Sequence, residues 1–366
     1  MFKKSLAAVA VLGAFAGSAF AAEVTMYGVI DTGLMYTYED VADGNATTDL
    51  EQHTLGLEGG INSSNRFGVK GTEELGNGMK VGFKLENGFK SDTGALKTED
   101  TLFDREASVS LYGDFGTLSM GRMGGVASSA GTYDIVYSMA DAFDGGDNNI
   151  LGLAISGRSD NMITYQTPKF AGLQGTFQYS FNQSGAEKDQ SSNNNQFFAT
   201  AITGEFGNLN VVGAYEYTNR NKDDRKYVRK DAQTVYLGGN YDCGFAKTFV
   251  MGQYFKGIQG SGANALASMV KGAGAELTSF DTDFDKGVKG FGAHLGTIVP
   301  VAGGDLTVAA YFTDFAVEYA DHDDDAKSYA FGAKYEYYLS KRTSVYTGAG
   351  FAQVKYCLLY TSDAAD

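Results

Sequence analysis

The stretch GLQGTFQYSFNQ, residues 172–183, decides how this chain folds. Leu173, Gly175, Phe177, Tyr179 and Phe181 fall on one side of an extended backbone, and Gln174, Thr176, Gln178, Ser180 and Asn182 on the other. Alternation with period two marks a β-strand with one apolar and one polar face. The pattern recurs. SYAFGAKYEYYL (328–339) sets Tyr329, Phe331, Ala333, Tyr335, Tyr337 and Leu339 against Ala330, Gly332, Lys334 and Glu336. RFGVKGT (66–72) sets Phe67 and Val69 against Arg66, Lys70 and Thr72. Past the N-terminus no helical period competes with it.

Two kinds of connector alternate between such strands. Short ones such as Leu75-Gly-Asn-Gly, Gly113-Asp-Phe-Gly and Asp242-Cys-Gly are tight turns. Long, polar and often acidic ones cover 39–63, 91–101, 124–159, 183–195, 220–230, 257–285 and 320–325. Strands are expected at 24–38, 64–74, 79–90, 102–112, 117–123, 160–168, 172–182, 196–206, 209–219, 231–242, 245–256, 286–299, 304–319, 326–339 and 343–356. These are about fifteen strands of about ten residues, the length of a tilted bilayer crossing. In a soluble sandwich each apolar face would pack on a second sheet. Here overall hydropathy is ordinary, 23 Tyr and 25 Phe crowd toward strand ends, and long and short connectors take opposite sides. Those features fit an all-β transmembrane antiparallel up-and-down barrel, apolar outside and wet inside.

The N-terminus supports export. MFKKSLAAVAVLGAFAGSAFA carries Lys3 and Lys4, an apolar run, and small residues at Ala19 and Ala21, which is the form of a secretory signal peptide cut after Ala21. A net charge of −15 argues against nucleic acid as a partner. The two cysteines, Cys243 and Cys357, make no disulfide framework. The three histidines (53, 294 and 322) have no metal-ligand spacing, and there is no phosphate loop or nucleophile elbow. No cofactor and no enzymatic activity are expected.

VTMYGVIDTGLMY (24–36), SNRFGVKGTEELGNGMKVGFKLENGF (64–89), FGTLSMGR (115–122) and NMITYQTPKFAGLQGTFQYS (161–180) resemble the trimeric general porins of Gram-negative outer membranes, β-proteobacterial type. The resemblance spans about residues 22–356. It implies a sixteen-stranded barrel, a homotrimer in outer-membrane lipid and lipopolysaccharide, and passive passage of ions and small hydrophilic solutes. It also implies a last strand ending on an aromatic residue. This chain instead ends CLLYTSDAAD (357–366), which matches the translation of a transposase adapter used for sequencing libraries. The expected organisation is a signal peptide (1–21), a porin barrel lacking its last strand (22–356) and a foreign tail. An outer-membrane barrel enzyme of lipase or protease type and a surface adhesin barrel are the alternatives.

In the family the third long loop folds into the barrel and narrows it. Here that loop is 124–159, with the acids Asp134, Asp141, Asp144 and Asp147. Opposite it, Arg66 of NRFGVKG, Arg122 of MGRMGG and Arg158 of SGRSDN match the positions of the family's pore arginines, and Lys70, Lys84 and Arg105 are further candidates. Alternation alone puts Arg66 on the polar face. It points Arg105 outward with Val109 and Leu111, and Arg122 outward with Leu118 and Met120 unless a bulge at Gly121 turns it in. Such facing charges would set a transverse field across a narrow water column.

Overall fold

A computed structural model describes residues 23–41, 50–128, 131–143, 156–185, 194–221, 230–258, 286–318 and 323–357. Residues 1–22, where the signal peptide is expected, Asp144, Asp147, His322 and the residues beyond 357 lie outside the described residues, as do most of the connectors at 220–230 and 257–285. The elements are β1 (Glu23–Val29), β2 (Thr32–Val41), β3 (Leu50–Gly59), β4 (Arg66–Gly76), β5 (Met79–Gly88), β6 (Glu106–Gly113), β7 (Gly116–Gly124), α1 (Val136–Ala140), β8 (Arg158–Gln166), β9 (Leu173–Ser180), β10 (Gln196–Phe206), β11 (Leu209–Asn219), β12 (Ala232–Asp242), β13 (Lys247–Ile258), β14 (Gly287–Val301), β15 (Gly304–Glu318), β16 (Asp323–Ser340) and β17 (Thr343–Cys357).

Fifteen strands form one sheet in the order β1, β4, β5 and then β6 to β17 as they follow in the chain, while β2 and β3 pair as a separate ribbon. Every pairing is antiparallel. β1 pairs with β4 from Glu23↔Thr72 to Val29↔Arg66, and β2 pairs with β3 from Thr32↔Gly59 to Val41↔Leu50. Residues 23–41 and 50–76 are thus one long hairpin, interrupted at 30–31 and 60–65. Asp31 sutures the interruption: its carboxylate accepts the N–H of Asn62 (2.7 Å) and Ser63 (2.6 Å). At the β4–β5 turn Asn77 and Gly78 hold φ of 52° and 76°, as a two-residue hairpin of the right twist requires.

The sheet rolls into an up-and-down barrel whose two edge regions are linked by side chains, with no backbone pairing of β1 to β17 among the described residues. Tyr346 of β17 donates to the Asp31 carboxylate at 2.6 Å, and Lys334 of β16 donates to the Asn62 side-chain carbonyl at 2.5 Å. Alternation divides outside from inside. On β12, Val235 and Leu237 are 46% and 71% exposed, whereas Thr234 and Tyr236 are each 2% exposed. Outward Leu, Val, Phe and Tyr side chains recur on the other strands and form the surface that faces hydrocarbon.

Three expectations change. Residues 50–59, read as part of a long connector, form β3. Leu55 and Leu57 alternate there with Gly56 and Glu58, a signal masked by the flanking acids. A single helical turn, α1, stands in the loop after β7, where no helix was expected. The inner wall is also not uniformly polar. From β10 to β15 it presents Phe197, Ala199, Val212, Tyr236, Met251 and Tyr311, packed on Val126, Ala127, Tyr133, Val136, Tyr137 and Ala140 of the loop. The apolar core of this molecule lies inside the barrel.

Candidate functional site

The site is the inner wall together with the loop laid along part of it. On the first strands the inward positions form cross-strand rows. Thr25, Lys70, Lys84 and Ser108 make one row, and Tyr27, Gly68, Glu86 and Glu106 the next. These registers set Lys70 opposite Lys84 and Glu86 opposite Glu106, like-charge pairs that are unfavourable in isolation. Crossed pairing relieves them. The Lys84 ammonium lies 2.8 Å from Glu106 and 3.7 Å from Glu86. Arg105 donates through Nε to Glu86 at 2.7 Å, and the Tyr27 hydroxyl donates to the other Glu86 oxygen at 2.8 Å. Tyr27 reaches that oxygen because Gly68 has no side chain: a Cβ there would stand 2.5 Å from the ring.

The remaining cations gather nearby. Arg66 donates to the Ser63 hydroxyl (3.3 Å) and the Ser64 carbonyl (3.1 Å), and Lys70 lies 5.4 Å over the Tyr27 ring. Arg122 donates to the Asp104 carbonyl at 2.9 Å and pairs with Asp160. Its strand slips register between Gly121 and Met123, with Gly121 at φ 134°, so alternation breaks at the bulge. Arg105 precedes the first residue of β6, so strand parity does not govern it. Its side chain is 2% exposed and turned to Glu86, which corrects the outward expectation. Arg158 interacts electrostatically with Arg105, Arg122, Asp104 and Glu86. Its Nε is buried without a partner among the described residues, and no carboxylate forms an ion pair with it there. Lys97, in the connector before β6, sits beside Arg105 and Arg158. Desolvation and those two charges hold its ammonium below the usual lysine range.

The loop after β7 touches two distant parts of the wall. Thr132 donates to Glu106 through its N–H (3.2 Å) and its hydroxyl (2.6 Å), and the Tyr133 hydroxyl meets Ser119 of β7 at 2.7 Å. Further along, Asn240 of β12 donates to the Met139 carbonyl at 2.6 Å, and the Ala142 N–H donates to His294 of β14 at 3.2 Å. β6 and β14 are fourth and twelfth in the fifteen-strand order, so the loop runs between nearly opposite sides of the barrel.

Of the loop acids, Asp134 is half-buried. Asp141 is a correction. Its side chain is 0% exposed, and its carboxylate accepts the Tyr311 hydroxyl (2.8 Å) and the Phe143 N–H (3.0 Å). It fastens the loop to the wall and does not line an opening. Sequence reasoning missed Glu106, Asp104, Tyr27, Lys97 and His294. Glu106 and His294 had a usable signal, being in phase with Ser108 and Ser110 and with Gly292 and Gly296. Cys243 is exposed in the short turn between β12 and β13.

A membrane barrel whose lumen holds its own loop beside a cluster of cations is a diffusion channel. The Gram-negative porin family model matches residues 7–355, and the chain belongs to that family. An outer membrane porin protein of Bordetella pertussis is 31% identical over 376 residues, covering 96% of this chain and 94% of the relative. The solved anion-selective porin from Comamonas acidovorans superposes with a TM-score of 0.64 at 24% identity, covering 91% of this chain and 90% of that one. The trimer form of OmpT from Vibrio cholerae superposes at 0.56 with 16% identity, covering 91% and 89%. The protein is a non-enzymatic general diffusion porin of the Gram-negative outer membrane, a water-filled channel for ions and small hydrophilic solutes. Neither the barrel enzyme nor the adhesin finds support among its relatives.

Proposed function

We propose that solutes pass between the more exposed edge of the loop, at Asp134 and Ser138, and the wall carrying Arg66, Lys70, Lys84, Arg105, Arg122 and Arg158, and that this constriction favours anions. One observation carries the preference. The acids of the wall are already engaged: Glu86 by Arg105, Tyr27 and Lys84, Glu106 by Lys84 and Thr132, and Asp160 by Arg122. Arg158 forms no ion pair with a carboxylate among the described residues, although Asp104 and Glu86 act on it electrostatically, and a guanidinium keeps its charge at any working pH. The anion selectivity named for the Comamonas porin supports the same preference. Reversal potential across a salt gradient in planar bilayers tests it. Wild type should show anion preference, and Arg158→Ala and Arg66→Ala should widen the pore and move the potential toward cations. Unchanged values for both would remove these residues from the constriction.

Finer features of the assembly belong to the same proposal. A homotrimer is supported by the trimeric OmpT neighbour and by the outward face of the β2–β3 ribbon, where Leu34 opposes Leu57 and Tyr36 opposes Leu55, all exposed. Lipid and lipopolysaccharide would contact the outward apolar belt and the basic outer loop at 220–230. A further strand between β1 and β17 would satisfy two edges that each have a single partner among the described residues. Residues 1–21 would be removed on export, and 357–366 would be foreign in sequence, although Cys357 continues β17 opposite Asp325.

A further inference from the structure

The loop could narrow the pore only if something prevents it from swinging into the lumen, and apolar packing has no direction of its own. Directional contacts come from Glu106, Ser119, Asn240 and Tyr311, described above, and from two further buried polar side chains of the wall, Glu216 and His294. Glu216, on β11, is 5% exposed. One carboxylate oxygen accepts the Ala127 N–H at 3.2 Å and the other accepts the Tyr236 hydroxyl at 3.2 Å. No cation pairs with it among the described residues. Tyr236 in turn meets Tyr137 of α1 edge-on, with ring centroids 6.4 Å apart. At the far end of the loop, His294 Nε2 accepts the Ala142 N–H and lies 3.3 Å from the Asp141 carboxylate, while its ring stacks on Tyr311 at 4.5 Å. Between these points Ala140 and Ala142 lie against glycines. A Cβ on Gly238 would stand 2.7 Å from that of Ala140, and one on Gly296 would stand 2.6 Å from that of Ala142.

We propose that Glu216 and His294 are positioning residues for the constriction: they hold the neck and the far end of the loop on the wall, and thereby set pore width without touching the water column. The inference rests on the constriction proposed above. A buried carboxylate with no cation is a costly way to fill space, and an apolar side chain of similar volume would pack the barrel at least as well. What Glu216 supplies is a fixed acceptor for the loop's backbone.

Single-channel recording of the full chain with Glu216→Leu, Glu216→Gln and His294→Phe tests this, with resistance of the folded barrel to heat in detergent as a control. Leucine removes the acceptor and keeps the volume. Glutamine keeps an acceptor for the Ala127 N–H. Phenylalanine keeps the stacking on Tyr311 and loses the acceptor for Ala142. The expected result is a conductance raised by roughly half in Glu216→Leu and His294→Phe, with greater open-channel noise, wild-type behaviour in Glu216→Gln, and unchanged heat resistance. Wild-type conductance and noise in Glu216→Leu would overturn the proposal. So would a Glu216→Gln channel as disturbed as the leucine variant, because the side chain would then be serving the fold. If Glu216→Leu yields no channels, His294→Phe decides by the same criterion. A wild-type chain that conducts without anion preference contradicts the proposed selectivity and leaves this comparison of variants intact.

Discussion

The two halves of the inner wall solve opposite problems. From β1 through β8 the wall carries Arg66, Lys70, Lys84, Arg105, Arg122 and Arg158, interleaved with Glu86, Glu106 and Asp160, and much of its cohesion is ion pairing. From β10 through β15 it carries small and aromatic side chains, and its cohesion is the burial of Val126, Val136, Tyr137 and Ala140. Val126 and Val136, both fully buried, each contribute about 1.5–3 kcal/mol. Under the proposed constriction, one half stays crowded with charge because water and solutes pass it. The other is covered so that nothing passes. A porin lumen of this kind is a hydrophobic core and an electrolyte channel sharing one barrel.

The sharpest way to break the contrast is to reverse charge in the first half. Arg158→Glu changes the local field by two charges. At an effective dielectric of about 20 and roughly 8 Å each charge counts for about 2 kcal/mol, so the anion-to-cation permeability ratio should fall at least tenfold. Reversal potential measures it. A change of less than twofold would mean that Arg158 does not face permeating ions.

The second half is tested by size. Gly296→Leu would put a side chain where Ala142 sits and lift the far end of the loop. Conductance should change by roughly a factor of two while ion preference moves far less. The opposite ranking would place the selectivity filter on the covered half. Asp141→Asn sharpens the division between the halves. A constriction acid would yield stronger anion preference when neutralised. An anchor held by Tyr311 and Phe143 should leave the reversal potential unchanged and increase current noise.

The smallest effect is expected from pH. Lys97, held below its usual range by desolvation and by Arg105 and Arg158, loses its proton at lower pH than an ordinary lysine. Anion preference should therefore decline as pH rises into the alkaline range. Lys97→Met should lower the preference at neutral pH and flatten the decline. A wild-type profile in that variant would remove Lys97 from the permeation path.

The two halves also differ in how far they could be read from sequence. Strand alternation placed Lys84, Glu86 and Arg66 on the inner face, and the glycine in MGRMGG marked where Arg122 could escape its phase. Both follow from neighbours within a few positions. Arg105 is a basic-wall candidate whose inward direction alternation does not give, because it lies before the first residue of β6. Asp141 was misassigned because its carboxylate is used by Tyr311, 170 positions away, and His294 meets Ala142 across 152. Alternation fixes which face a side chain takes. It says nothing about which stretch of wall a folded-in loop will cover, since that depends on shape: the glycine hollows at 238 and 296, and the apolar patch between them. The β3 strand is legible in the alternation of Thr54-Leu-Gly-Leu-Glu, but the acids that surround it give the stretch the composition of a loop.

The apolar core inside the lumen also has a thermal consequence. Burial of apolar surface carries a large heat-capacity change and weakens on cooling, whereas the ion pairs of the facing wall have a different temperature response. The grip on the loop should loosen toward the freezing point and tighten as the membrane warms. The free energy of releasing the loop from the wall would then follow a curve with a maximum, so that chilling and strong heating both unsettle the current.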